Sequence, residues 1–240
     1  MSIKSLTAAA AFAVLALGMS TPVFAQNAPP ADAITDPSMK GGEVIAFIGV
    51  KPGDKVADLV AGRFVRALSQ AVGPTGKLYA VMPAEVVKAH PQVEGMLKGL
   101  ASIPAYSNVV VSTPPANEMA LPTGLDAVFI RQNYHDLYDK FMGPADVARV
   151  NKAVYAALKP GGVFVILDHA DKAGSGLSGT ETTHRIDPAR VKADLAAAGF
   201  VFDGESAILA NPADDYSKNV FDPAVRGKTD QFLYRFRKPK

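Results

Sequence analysis

Apolar positions along the chain switch repeatedly between two periods. "KVADLV" and "KLYAVM" are short apolar runs of strand length. Between them, "FVRALSQAV" sets Phe64, Ala67, Leu68, Ala71 and Val72 on one helical face. The spacing then predicts a helix in "AEVVKAHPQVEGMLKGLASI", broken near Pro91, and two strands in "NVVV" and "LDAVFIR". In "PADVARVNKAVYAAL", Val147, Val150, Val154 and Leu158 share a helical face, and "KPGG" ends the helix. "VFVILD" is apolar up to its final Asp168, which suits a strand covered on both faces. Asp187 and Pro188 read as the N-cap and first residue of a helix that runs to Gly199. "FVFDGESAIL" and "TDQFLYRFRK" are strands with no helical pattern between them, so they are expected as antiparallel neighbours. The alternation predicts an α/β domain with a largely parallel sheet, helices on both faces and an antiparallel closing pair.

The ends of the chain read differently. Lys4, the apolar run "LTAAAAFAVLALGM" and the small residues of "VFA" form a secretory signal pattern, with cleavage expected after Ala25. This run is too short for a convincing membrane span. The domain division expected is therefore a signal peptide over 1–25, a linker over 26–41 and one domain over 42–240, in the periplasm or outside the cell. "GGEVIAFIGV" opens the domain as a short amphipathic helix. Absence of Cys excludes disulfides and lipid attachment at a Cys, so the core alone must supply stability. With 25 basic and 23 acidic residues, the charge balance favours neither nucleic acid nor a membrane surface. The basic tail "RFRKPK" reads as a solvated end.

Several of these pieces resemble the class I S-adenosylmethionine-dependent methyltransferases. "KPGDKVADLVAG" matches their first strand and loop, "GPTGKLYAV" the second strand, and "LDAVFIRQNYHDL" the fourth. "ALKPGGVFVILD" matches the fifth, and "FLYRFRK" the inserted antiparallel strand. "QNYHD" and the later "HRID" are similar to motifs of an exported group of predicted methyltransferases. The resemblance implies a Rossmann-like seven-stranded sheet ordered 3-2-1-4-5-7-6, with strand 7 antiparallel. It also implies S-adenosylmethionine as cofactor and a small-molecule acceptor as partner, bound at the carboxyl ends of the strands. Cofactor contacts are expected from Asp58, Gly62, Asn133 and the Met82 position. Asn133, Tyr134 and His135 are expected to face the acceptor, with His135 as general base. His169 and His184 are expected to contact substrate.

The chain also departs from that pattern. One glycine, Gly62, remains where the family loop carries three. Phe64 is in phase with the helix face, so the loop reads as shortened, with Phe64 in the core. Gly62 then serves either close ligand approach or a positive φ. Met82 and Pro83 stand where a ribose-binding carboxylate is usual, with Glu85 nearby, and Pro115 stands where an adenine-binding Asp is usual. These departures leave open a non-catalytic ligand-binding protein on the same fold. A nicotinamide enzyme fits less well, because G-x-G-x-x-G is missing. The spacings of His135, His169 and His184 match no metal motif, and no metal is expected from them. The loop from Ala170 to Ile186 has neither helical nor strand pattern and reads as a lid or binding loop. Asp214 and Asp215, in a second insert, read as solvated.

Overall fold

A computed structural model describes residues 31–240; the signal reading lies outside them. Seven strands form one sheet in the order β3-β2-β1-β4-β5-β7-β6. They are β1 (Lys55–Leu59), β2 (Lys77–Val81), β3 (Val109–Ser112), β4 (Leu125–Arg131), β5 (Leu158–His169), β6 (Val201–Ser206) and β7 (Gln231–Arg237). β1 to β5 pair in parallel, while β7 runs antiparallel to both β5 and β6. This is the order and the polarity that the resemblance implies.

Helices pack around the sheet: α1 (Gly41–Ile48), α2 (Val65–Val72), α3 (Ala84–Ala89), α4 (Gln92–Ala101), α5 (Val147–Ala157), α6 (Thr180–Thr183) and α7 (Pro188–Ala197). The break between α3 and α4 falls at His90–Pro91, because proline keeps the preceding residue out of the helical region. Asp146 and Asp187 cap α5 and α7 with their carboxylates. Phe164, Val165, Ile166 and Leu167 of β5 are all buried, as a strand covered on both faces requires. Phe64 is buried beside the start of α2, edge-on to Phe129 with 5.2 Å between ring centroids.

Three expectations change. Part of the linker stretch packs on the domain: Asp32 pairs with Arg66 at 3.0 Å, and Met39 is buried. The basic tail is not a solvated end. Arg235 and Arg237 both bind Asp203, and Arg235 Nη1 also donates to the Phe47 carbonyl of α1 at 2.8 Å. The 170–186 loop carries one helical turn, α6, and its ends meet in a bridge between Ala170 and Ile186.

Candidate functional site

The carboxyl ends of β1, β4 and β5 converge where the strand order reverses. β1 ends in a tight turn, and Val60, not Gly62, adopts the left-handed conformation there, at φ 53°. A β-branched residue is rarely held in that region. Gly62 has no positive φ, and an added Cβ would meet only the Val60 carbonyl, at 3.8 Å. Its role is therefore not a backbone requirement; it leaves open space beside Asp58. Asp58 is buried and accepts a long hydrogen bond from the Gly62 N–H, 3.4 Å. Burial pushes its carboxyl up to about 7, against the pull of that N–H and of Arg131.

β4 delivers Arg131, Gln132 and Asn133. The Arg131 guanidinium lies 5.8 Å from the Phe64 ring centre. Burial lowers its pKa to about 10, which leaves it a cation at neutral pH. Gln132 is left-handed at φ 54°, held by its N–H to the Leu167 carbonyl and its side chain to Gln231. This turn throws Asn133 toward the strand ends and starts a 3-10 turn over His135–Tyr138.

His135 is buried between two carboxylates. Its Nδ1 lies 2.8 Å from Asp168 Oδ1, and its Nε2 lies 3.1 Å from Asp136 Oδ1. Its own N–H donates to the other Asp168 oxygen at 2.9 Å. Burial opposes charge on the ring, but the Asp168 and Asp136 carboxylates outweigh it and raise the pKa to about 10. Such a ring holds its proton at neutral pH, which removes His135 as the free base expected from sequence. Burial would raise the Asp136 pKa, but its contacts with His135 and Asn133 hold it well below the usual range. Asn133 Nδ2 donates to Asp136 Oδ2 at 2.6 Å.

Two neighbouring cavities open here. The larger, about 600 Å³, is lined by Asn133, His135, Asp136, His169 and His184 on its polar side. Val60, Val86, Ala89, Phe141, Val220 and Phe221 form its apolar side. The smaller, about 210 Å³, is lined by Asp58, Gly62, Arg63, Phe64, Arg131 and Asn133. Asp58, Gly62, Asn133, His135, His169 and His184 thus come together as expected. Two residues do not. Tyr134 is fully buried, with its hydroxyl accepting from Asn151 at 2.8 Å, so it packs the core instead of facing an acceptor. Met82 is buried in the core and lines neither cavity. Glu85 does not replace the ribose carboxylate, because both its oxygens accept from the Ala116 N–H. His169 bonds Thr229 at 2.8 Å, and burial lowers its pKa to about 3, which keeps it neutral.

"HRID" has a physical reading at each position. His184 is left-handed at φ 54° and turns its ring to the large cavity. Arg185 is fully buried and grips Asp214 with two bonds, 2.8 and 3.2 Å. Its guanidinium also donates to the Ala170 and Lys218 carbonyls, so it ties the two inserts together. Ile186 bridges to Ala170, and Asp187 caps α7. Asp214 is therefore a buried partner and not a solvated acid. Arg185, Arg131 and Asp139 carried no role in the sequence reading. The four-residue step from His135 to Asp139 within "HDLYD" is the one local signal that could have found the last.

No family model matches the chain, and no curated protein sequence matches it. Solved structures do resemble it. A SAM-dependent methyltransferase from Aquifex aeolicus superposes with a TM-score of 0.61 at 20% identity, over 85% of this chain and 95% of that one. The cyclase SpnF gives 0.62 at 15% identity, over 89% and 86%. A "possible exported protein" from Bordetella parapertussis gives 0.53 at 16% identity, over 88% and 70%. With the strand order, these likenesses define the class of fold: the Rossmann-like sheet of S-adenosylmethionine-dependent methyltransferases, closed by an antiparallel seventh strand.

Proposed function

We propose that the chain is an exported methyltransferase that moves a methyl group from S-adenosylmethionine to a small acceptor. The observation that carries this reading is the small cavity. It combines one carboxylate, Asp58, with two guanidiniums, Arg63 and Arg131, beside an open glycine. An amino-acid head needs that pairing, a carboxylate for its ammonium and cations for its carboxylate. Asp58, Arg63 and Arg131 would hold the methionine end, and the Val86–His90 side of the large cavity would meet the nucleoside. When bound, the cofactor supplies an electrophilic methyl group. Asn133 and His184 position the acceptor beside it, and the apolar residues around them exclude water. Among the described residues no carboxylate takes the ribose role of the family. One lost charge-assisted contact weakens binding by roughly 10- to 100-fold.

Isothermal titration of S-adenosylmethionine and of its demethylated product tests this. Saturable heat is expected. Affinity should rise with pH across about 7, because Asp58 must lose its proton to face an ammonium. No heat and no thermal shift at millimolar ligand sinks the reading.

A second reading is a non-catalytic binding protein for a small anionic ligand. Arg63 and Arg131 together outweigh Asp58 in charge around the small cavity. Native mass spectrometry of the purified protein separates the two by what travels with it.

A further inference from the structure

His135, Asp136, Asp139 and His184 each turn one donor atom to a common point, all within 4.8 Å of one another. We propose that these four side chains bind a divalent transition metal ion, of the zinc class, at the edge of the large cavity. The distances suit an ion better than direct bonds. His184 Nδ1 lies 3.7 Å from Asp136 Oδ1 and 3.9 Å from Asp139 Oδ2, too far for hydrogen bonds. Two donors each about 2.1 Å from a tetrahedral ion are about 3.4 Å apart. The His135–Asp136 and His184–Asp136 spacings, 3.1 and 3.7 Å, fall on either side of that value.

An independent observation is Asp139. Its side chain is only 4% exposed, and Oδ1 has no hydrogen-bond partner. A buried carboxylate with a bare oxygen is costly, and an ion bound by this carboxylate, whose Oδ2 faces His184, offsets that cost. The supporting residues also have the form that metal sites need. Asp168 holds the far nitrogen of His135 and so aims Nε2 at the cluster. Asn133 holds the outer oxygen of Asp136 and leaves Oδ1 facing both histidines. A carboxylate behind a histidine, and an amide behind a carboxylate, fix ligands in this way. Without an ion, the Nε2 proton bridges His135 and Asp136. Two imidazoles in the set favour zinc and its neighbours such as cobalt or nickel over magnesium, calcium or manganese. The two carboxylates of the set balance the charge of a divalent ion. His135, Asp136 and His184 also line the cavity, so the ion would meet an oxygen donor of whatever the cavity holds.

The test is titration of the metal-stripped chain with Co2+ and Zn2+, read by visible ligand-field absorption and by calorimetry. No S-adenosylmethionine is present, so the result is independent of the methyl-transfer reading. One equivalent of Co2+ should bind, with the intense absorption of a four- or five-coordinate site, and Zn2+ should displace it. His184→Ala, at a ring 27% exposed, should weaken binding at least 10-fold. Asp139→Asn, nearly the same shape, should do likewise. Asn133→Ala should weaken it less, while keeping the stoichiometry. No saturable binding of either ion overturns the proposal. So does binding that His184→Ala and Asp139→Asn leave unchanged.

Discussion

Asp58 shows how one residue carries a cost that a ligand can relieve. Its folded pKa, about 7, lies above its ordinary 3.8. The folded chain therefore keeps a proton that the unfolded chain gives up. Stability from this group is complete below about 3.8 and is lost as pH rises toward 7. Asp58→Asn should raise stability at pH 8 by of order 2 kcal/mol. The gain should shrink as pH falls from 7 toward 4, and urea unfolding across that range measures it. An isosteric change with no pH-dependent gain would refute this account of the residue. The sequence placed Asp58 at a strand end but gave no sign of its neighbours. Arg131 reaches it from β4, and contacts between separate strands leave no local pattern. Tyr134 and His135 were misjudged for a related reason. Position after a strand predicts which elements a side chain joins, but a 3-10 turn decides which way it points.

Elements were the most legible scale. Period and turn residues located all seven strands, and helix phase identified Phe64 as core. The inserts were not legible, because contacts between positions far apart in sequence order them, a pair of buried charges among them. Arg185 and Asp214 lie in different inserts, and both side chains are buried. Arg185→Met should cost about 3–5 kcal/mol, since it strands the Asp214 carboxylate away from water. Adding Asp214→Asn should recover part of that loss by removing the stranded charge. Thermal unfolding, with limited proteolysis of residues 170–186 and 207–230, reads both effects. Cutting should appear first in the single variant. Equal losses in the single and double variants would mean that the guanidinium's bonds to Ala170 and Lys218, and not its charge partner, hold the inserts.

At the scale of the molecule, the strand order was legible only through the resemblance, and solved structures at 15–20% identity resemble the fold. The proposed export belongs to this scale too. Expressed from Met1, the chain should be recovered outside the cytoplasm with Gln26 as its first residue. Mass spectrometry of the intact fractionated protein checks this, and an uncleaved cytoplasmic product would count against it. The sheet also sets a timetable. β7 follows β6 along the chain, yet it lies between β5 and β6, and Arg235 on it reaches back to Phe47 of α1. Until residues 231–237 dock, β6 lacks its partner in the sheet and the edge of β5 stays open. Pairing between such distant positions is slow and comes late. The sheet therefore cannot lock from one end to the other; α1 and β7, far apart along the chain, close it together.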